Sequence, residues 1–420
     1  MMIAFALISL VLAFWASPGR SDGSKEADRD VVRSEARVPV FELPPLLVTQ
    51  DGRPIKTAEE WLHIRRPQVL ALFGSLVYGN VPVPDSPIRT AVDVVHTDKQ
   101  FLNGRATRKD VRIRFENDRG KAEMYVLIFT PNGAKGPSPA FLQLSFTNTR
   151  DNGYDPDPER PGLLRCGVPL GEMLQRGYGY VVVYQADLVH HNEVEFNGVI
   201  HSLFYHRGQS FPRASEWGVI SAIAWSASRA MDYIQTDPDI DSKRVAIMGH
   251  SKCGKTALWA AAQDERFALA IAAQSGCGGA SLFRRRYGET LEKMVTHLPY
   301  WLCRNAWKFV NNEDDLPVDQ HMLIACIAPR PVYICSGVED TWADPRGMYL
   351  AAYYAGDVYR LLGKKALESI EQPPLARAII KSDVGYHIRP GGHSVELFDW
   401  ERFLDFADYH FNRAAAASLR

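Results

Sequence analysis

The 420-residue chain lacks what several function classes require. Lys and Arg total 48 against 49 Asp and Glu, a formal net charge of −1. No basic excess exists to hold nucleic acid or an anionic membrane through bulk charge, so neither is expected as a partner. Cysteine is scarce: the six are Cys166, Cys253, Cys277, Cys303, Cys326 and Cys335. No two stand at a metal-ligand spacing such as C-x-x-C. There is no internal repeat, no low-complexity tract and no clear interdomain linker. After residue 16 nothing is apolar enough to span a membrane.

The one long apolar run is Ile3 to Ala16, which has signal-peptide length and is short for a membrane span. Small residues follow it, although no positive charge precedes it. The expected organisation is a signal peptide over 1–19, cut near Ser17 to Gly19, and a polar flexible leader over 20–40. A single catalytic domain would fill 41–420, secreted or periplasmic and free of the membrane once the signal is removed. In an exported chain some cysteines can pair. Cys277 and Cys303 flank one loop region and form the candidate disulfide, whereas Cys326 and Cys335 lie in apolar runs and read as buried thiols.

What is present centres on Arg244 to Lys255, RVAIMGHSKCGK. An apolar run ends in Gly249, Ser251 follows, and then a helical-looking TALWAAAQ. Strand, sharp turn with serine at the apex, then helix is the layout of a nucleophile elbow. The turn lifts the hydroxyl clear of the sheet, and the helix N-terminus offers N–H groups to an oxyanion. The window departs from G-x-S-x-G, since Gly254 comes one residue late and Cys253 takes its usual place. Such an elbow demands an acid and then a histidine further along the chain. The acid should follow a buried strand, and PVYICSG is followed by Val338, Glu339 and Asp340. The histidine should precede the last helix, and RPGGH ends in His393 before ELFDWERFLDFADYHF. His393 would take the serine proton, and a carboxylate would fix its tautomer.

The early segments Ala91–His96, Val111–Phe115, Ala122–Phe129 and Ala140–Ser145 have the texture of antiparallel strands, after a short helix around Glu59–Leu72. From Gly177 onward strands alternate with helices: Tyr178–Tyr184, a helix over Glu216–Ile234, the elbow strand and its helix, Leu269–Ala273, Arg330–Ser336 and Ala378–Lys381. This predicts an α/β fold, a three-layer sandwich with a mostly parallel central sheet and antiparallel N-terminal strands.

The segments VYGNVP, SEWGVISAIAWSASRAMDYI, GHSKCGKTALW, QSGCGGASLFRRRYGE, LPYWLCRNAWKF, LPVDQHMLIACIAPRPVYICSGVEDTWADPRG and RPGGH together resemble the glucuronoyl esterases, carbohydrate esterase family 15. The bacterial branch is the nearer likeness, because the fungal branch carries cysteines where this chain has His250 and Ser394. The resemblance implies an α/β-hydrolase fold and a metal-free serine esterase without cofactor. Its substrate would be the ester between 4-O-methyl-glucuronic acid on xylan and lignin alcohols. It implies Ser251 as nucleophile and His393 as base, with Lys255, Glu289 and Trp342 holding the uronic sugar. A cation, an acceptor and an indole face suit a hydroxyl-rich ring. The family's arginine after the serine is Lys252 here, which keeps the charge and loses the planar fork. Many members carry a glutamate at the place of Gln274, and an amide cannot stabilise an imidazolium. Other bacterial members place the acid where Asp340 stands, with Glu339 as the adjacent alternative. The expected partner is a glucuronoxylan or lignin–carbohydrate ester, met by a monomer. The competing readings are an acetyl or feruloyl xylan esterase or general carboxylesterase, and a catalytically impaired carbohydrate-binding protein of the same fold.

Overall fold

A computed structural model describes residues 31–146, 152–189 and 199–418. The expected signal peptide over 1–19 lies outside the described residues. Among the described residues nine strands form one sheet in the order β1-β2-β3-β5-β4-β6-β7-β8-β9. The first three, β1 (Arg89–Gln100), β2 (Ala106–Asn117) and β3 (Gly120–Pro131), are antiparallel, and β3 meets β5 (Gly179–Tyr184) antiparallel as well. From β5 onward the sheet is parallel through β4 (Ser138–Ser145), β6 (Ile240–His250), β7 (Leu269–Ala273), β8 (Val332–Gly337) and β9 (Val384–Arg389).

The parallel strands read as continuous apolar runs because both faces are covered. Along β6 the side chains alternate between two cores. Val245 and Ile247 point into the larger cluster, and Ala246 and Met248 into the other. The larger core is closed by helices Val219–Ile234, Lys252–Gln263 and Pro345–Leu361. In the first of these, Ile220, Ile223, Ala227, Met231 and Ile234 recur at helical spacing and are all buried. The opposite face is closed largely by helix Leu397–Ser418, whose Trp400, Phe403, Phe406 and Ala407 pack on the sheet. Among the described residues no helix is long and apolar enough to cross a membrane.

Four expectations are corrected. Ala140–Ser145, expected antiparallel, pairs parallel with both β5 and β6. The last strand is Val384–Arg389; of the expected Ala378–Lys381, only Ile379 bridges to it, at Tyr386. The helix expected from Glu216 starts at Val219, because Trp217 and Gly218 donate backbone hydrogen bonds to Asn80 and Tyr78 of the VYGNVP segment. Cys277 and Cys303 are free thiols and form no disulfide. Each is buried in its own setting, and Cys303 Sγ faces the Ser75 carbonyl. Within the expected leader over 20–40, Val31 is 9% exposed and Gly288 donates a 2.8 Å backbone hydrogen bond to Val32.

Candidate active site

The carboxyl ends of β6, β7, β8 and β9 lie side by side, and the predicted site residues follow them, where ligands bind in open α/β sheets. Ser251 stands directly after β6 with φ 57° and ψ −124° and is followed at once by helix Lys252–Gln263. That backbone is costly for a residue with a Cβ, about 1–3 kcal/mol, and persists where the surroundings enforce it. The enforcement is visible. Ser251 N–H donates to the Ala273 carbonyl at 2.9 Å, while Gly254 and Lys255 N–H donate to the Ser251 carbonyl at 2.9 and 3.1 Å. A Cβ on Gly249 would lie 2.1 Å from the Cys253 carbonyl oxygen, so only glycine lets the chain double back. Gly254 serves a second approach, since a Cβ there would meet Ser275 Cβ at 3.0 Å and Ala273 O at 3.1 Å. The glycine shifted by one place therefore brings the elbow helix against the end of β7, and Cys253 is buried beside Gln185.

His393 Nδ1 lies 2.7 Å from Asp340 Oδ2. Asp340 is 5% exposed, while the neighbouring Glu339 side chain points to solvent. The His393 side chain is 40% exposed. Its ring packs on His250, centroids 4.5 Å apart, and His250 Nε2 lies 3.0 Å from Gln274 Oε1. Gln274 is thus engaged by the residue beside the nucleophile. Burial, and then the neighbouring His393, push the His250 pKa down to about 4, which keeps it neutral. Among the described residues no hydrogen bond joins Ser251 to His393. Catalytic contacts of this kind commonly tighten only when substrate arrives. The His393 loop is held at both ends by Arg389, which donates to Pro390 O at 2.7 Å, to Ser394 O at 2.6 Å and to Ser394 Oγ at 3.1 Å. Arg389 is itself anchored on Asp399 by contacts of 2.8 and 3.0 Å.

The three residues assigned to the sugar also come together. Lys255, 3% exposed, donates to Glu289 Oε2 and to the Ser275 carbonyl, each at 2.8 Å. Glu289 N–H donates to the Trp342 carbonyl at 2.8 Å, and the Trp342 side chain is half-buried. Lys252, 2% exposed, sets its ammonium 5.2 Å from the Trp301 ring centroid and 5.6 Å from that of Phe146. Burial lowers the Lys252 pKa to about 8. Trp301 also faces the Lys255 ammonium at 5.9 Å, within cation–π range. The sequence reading did not single out Trp301 or Phe146. Trp301 reaches the site because Val219 and Ile220, at the start of their helix, donate backbone hydrogen bonds to Tyr300 and Trp301. No spacing in the sequence announces that contact.

Among the described residues one cluster has the donor set of a metal site: Cys335, His387 and Asp399. Two of its three donors are already engaged. His387 faces Tyr333 Oη with Nδ1 at 2.9 Å and Asp399 with Nε2 at 2.7 Å, and Asp399 also accepts from Arg389.

A mostly parallel sheet, an elbow serine and a hydrogen-bonded His–Asp pair at adjacent strand ends define an enzyme of α/β-hydrolase fold. The family model described as glucuronyl esterase, fungi, matches residues 174–363. Carbohydrate esterase MZ0003, from an unknown prokaryotic organism, is 40% identical over 406 residues, covering 91% of this chain and 92% of that protein. A solved glucuronoyl esterase from Solibacter usitatus superposes with a TM-score of 0.81 at 36% identity, covering 90% of this chain and 100% of that one. A promiscuous CE15 esterase from the marine bacterial metagenome gives 0.79 at 39% identity, over 90% and 100% of the two chains. The chain belongs to the glucuronoyl esterases, carbohydrate esterase family 15.

Proposed function

We propose that this protein is an exported serine esterase that cleaves 4-O-methyl-glucuronoyl esters joining xylan to lignin alcohols. The observation that carries the substrate class is the buried Lys255–Glu289 pair one helical turn beyond Ser251, with Glu289 bonded to the Trp342 backbone. A small acetyl ester has no use for that wall, whereas the hydroxyls and C–H face of a uronic ring do.

In this reading Ser251 Oγ attacks the C6 carbonyl carbon while its proton passes to His393 Nε2. Asp340, against Nδ1, fixes the tautomer and stabilises the imidazolium. The oxyanion forms at the start of helix Lys252–Gln263, near the backbone N–H of Lys252 and its ammonium. Collapse expels the alcohol, which takes the proton from His393, and leaves a glucuronoyl ester on Ser251. Water, deprotonated by His393, attacks this ester. Ser251 leaves with the proton, and a free glucuronate is released.

A second reading, a carboxylesterase of broad acyl range, is favoured by the likeness to an esterase described as promiscuous. The deciding experiment compares benzyl glucuronate with p-nitrophenyl acetate on the wild type, Trp342→Ala and Glu289→Ala. The uronate reading expects kcat/KM for the glucuronate to fall about ten- to a hundredfold in the variants, with little change on the acetate. Equal losses on both substrates would assign the two residues to the fold. Strong acetate hydrolysis with no glucuronate hydrolysis would favour the second reading. Export predicts a mature start between Ser17 and Ser24 by mass spectrometry, and an intact Met1 would refute it.

A further inference from the structure

The wall that carries Glu289 is held from an unexpected direction. Three consecutive arginines precede it, and each leaves the loop along a different path. Arg284 donates to the Leu316 and Asp314 carbonyls and pairs with Asp319, while Arg286 pairs with Glu313 and Asp314. Arg285, 3% exposed, pairs with Asp344 through contacts of 2.9 and 3.2 Å. Asp344 is 1% exposed and already accepts from Gly347 N–H and Ser281 Oγ, both at 2.9 Å. The remaining guanidinium contact of Arg285 is Glu35 Oε1 at 2.7 Å, contributed by the segment before the catalytic domain. The same segment accepts from Gly288 N–H at Val32 O, 2.8 Å, and from Tyr287 Oη at Arg33 O, 3.0 Å.

These three contacts fall on Arg285, Tyr287 and Gly288, immediately before Glu289. Gly288 has φ 63°, and a Cβ on it would lie 2.3 Å from the Trp342 carbonyl oxygen and 2.4 Å from that of Thr341. The next peptide, Glu289 N–H, bonds Trp342 O. The loop therefore cannot shift without carrying Glu289 against Trp342. Asp344, two residues past Trp342, ties the other side of the wall to the same arginine.

We propose that residues 31–37 are a positioning strap that sets the uronate selectivity of the enzyme, with Glu35 and Arg285 as its positioning residues. Among the described residues no hydrogen bond or ion pair joins the strap to Ser251 or His393, so it acts on sugar binding and leaves acyl transfer alone. It lies beyond the expected signal cleavage, so the exported enzyme keeps it, whereas a protease cutting after residue 37 would convert a selective esterase into an indifferent one. This rests on the assignment of Lys255, Glu289 and Trp342 to the sugar.

The test compares the full chain with a chain beginning at residue 38 and with Glu35→Ala and Glu35→Gln in the full chain. Each is assayed on benzyl glucuronate and p-nitrophenyl acetate, with thermal melts alongside. The shortened chain should show KM for the glucuronate raised about tenfold, kcat within about twofold, and kcat/KM for the acetate unchanged. Glu35→Ala should raise the same KM about threefold, and Glu35→Gln less, because the amide still accepts from Arg285. If the shortened chain does not fold, the Glu35 variants decide. Unchanged glucuronate KM in folded Glu35→Ala, or equal losses on both substrates, overturns the proposal. Glu289→Ala separates the two levels. If it raises the glucuronate KM and the strap variants do not, the strap fails alone. If it has no effect either, the sugar-binding reading fails beneath it.

Discussion

Among the described residues two histidine–aspartate pairs share the same 2.7 Å contact, and the proposed mechanism gives them opposite jobs. The His387–Asp399 side chains are 0% and 1% exposed, and both imidazole nitrogens are occupied, one by Tyr333 and one by the carboxylate. In the His393–Asp340 pair the aspartate is equally buried, but the imidazole side chain is 40% exposed and only Nδ1 is engaged. The contact itself therefore says nothing about role. A ring with an uncommitted nitrogen facing solvent can move a proton, while a ring satisfied on both sides can only hold elements together. The buried pair does hold something: Asp399 anchors Arg389, and Arg389 grips both ends of the loop that presents His393. One pair is the scaffold of the other.

Breaking each pair should separate chemistry from stability. His393→Ala and Ser251→Ala are expected to lower kcat/KM on any ester by at least about a thousandfold, Ser251→Ala with an unchanged melting temperature. Near wild-type turnover in a contaminant-free preparation would remove the site. Asp340→Asn should cost about a hundredfold or more through the wrong tautomer, with the fold intact. Glu339→Gln should cost little, and a reversal of that order would move the acid to Glu339.

For the buried pair the loss should appear in stability. His387→Gln is expected to destabilise by about 2–4 kcal/mol, read by denaturant melts, because it strands the partners of a saturated donor and acceptor. Burial also lowers the pKa of His387, as it does for His201, His250 and His321. The unfolded chain, with histidines near 6.5, then binds more protons than the native state as pH falls below that value. Stability should drop from about pH 6.5 downward, on the order of 1.4 kcal/mol per pH unit for each histidine neutral in the fold. His387→Gln should make that slope shallower, and an unchanged slope would mean His387 is charged in the native state.

Lys252 gives the smallest effect, with the same sign as the histidines but at higher pH. Its pKa is about 8 in the fold against 10.5 when exposed. Between those values the unfolded state binds the extra proton, so this residue's contribution to stability rises with pH. The oxyanion role needs the charged form, so turnover should fall by about tenfold as pH climbs from 7 to 9. Lys252→Arg should hold its activity at pH 9, and a parallel decline in both enzymes would clear Lys252 of the effect.

The positions of the candidate triad were more legible in the sequence than their supports. Ser251, Asp340 and His393 each follow a strand end, and an apolar strand broken by glycine and small residues leaves a pattern that survives without coordinates. The strand β9 was placed too early because VGYHIR carries His387 and Arg389, polar residues buried by pairing with Asp399. A buried ion network disguises a core strand as a surface one. The Cys277–Cys303 pairing failed for a related reason, since loop proximity along the chain does not set side chains face to face. Trp301, Phe146 and the 31–37 segment were missed because their contacts span distances that no periodicity encodes.

The strained backbone at Ser251 has an evolutionary corollary. Glycine would adopt φ 57° and ψ −124° at ease, so the proposed nucleophile position is one where the residue best for chemistry is not the one best for folding. A lineage no longer selected for ester cleavage gains stability by drifting to glycine there. Glycine at this position would mark a relative in which the reaction had been given up.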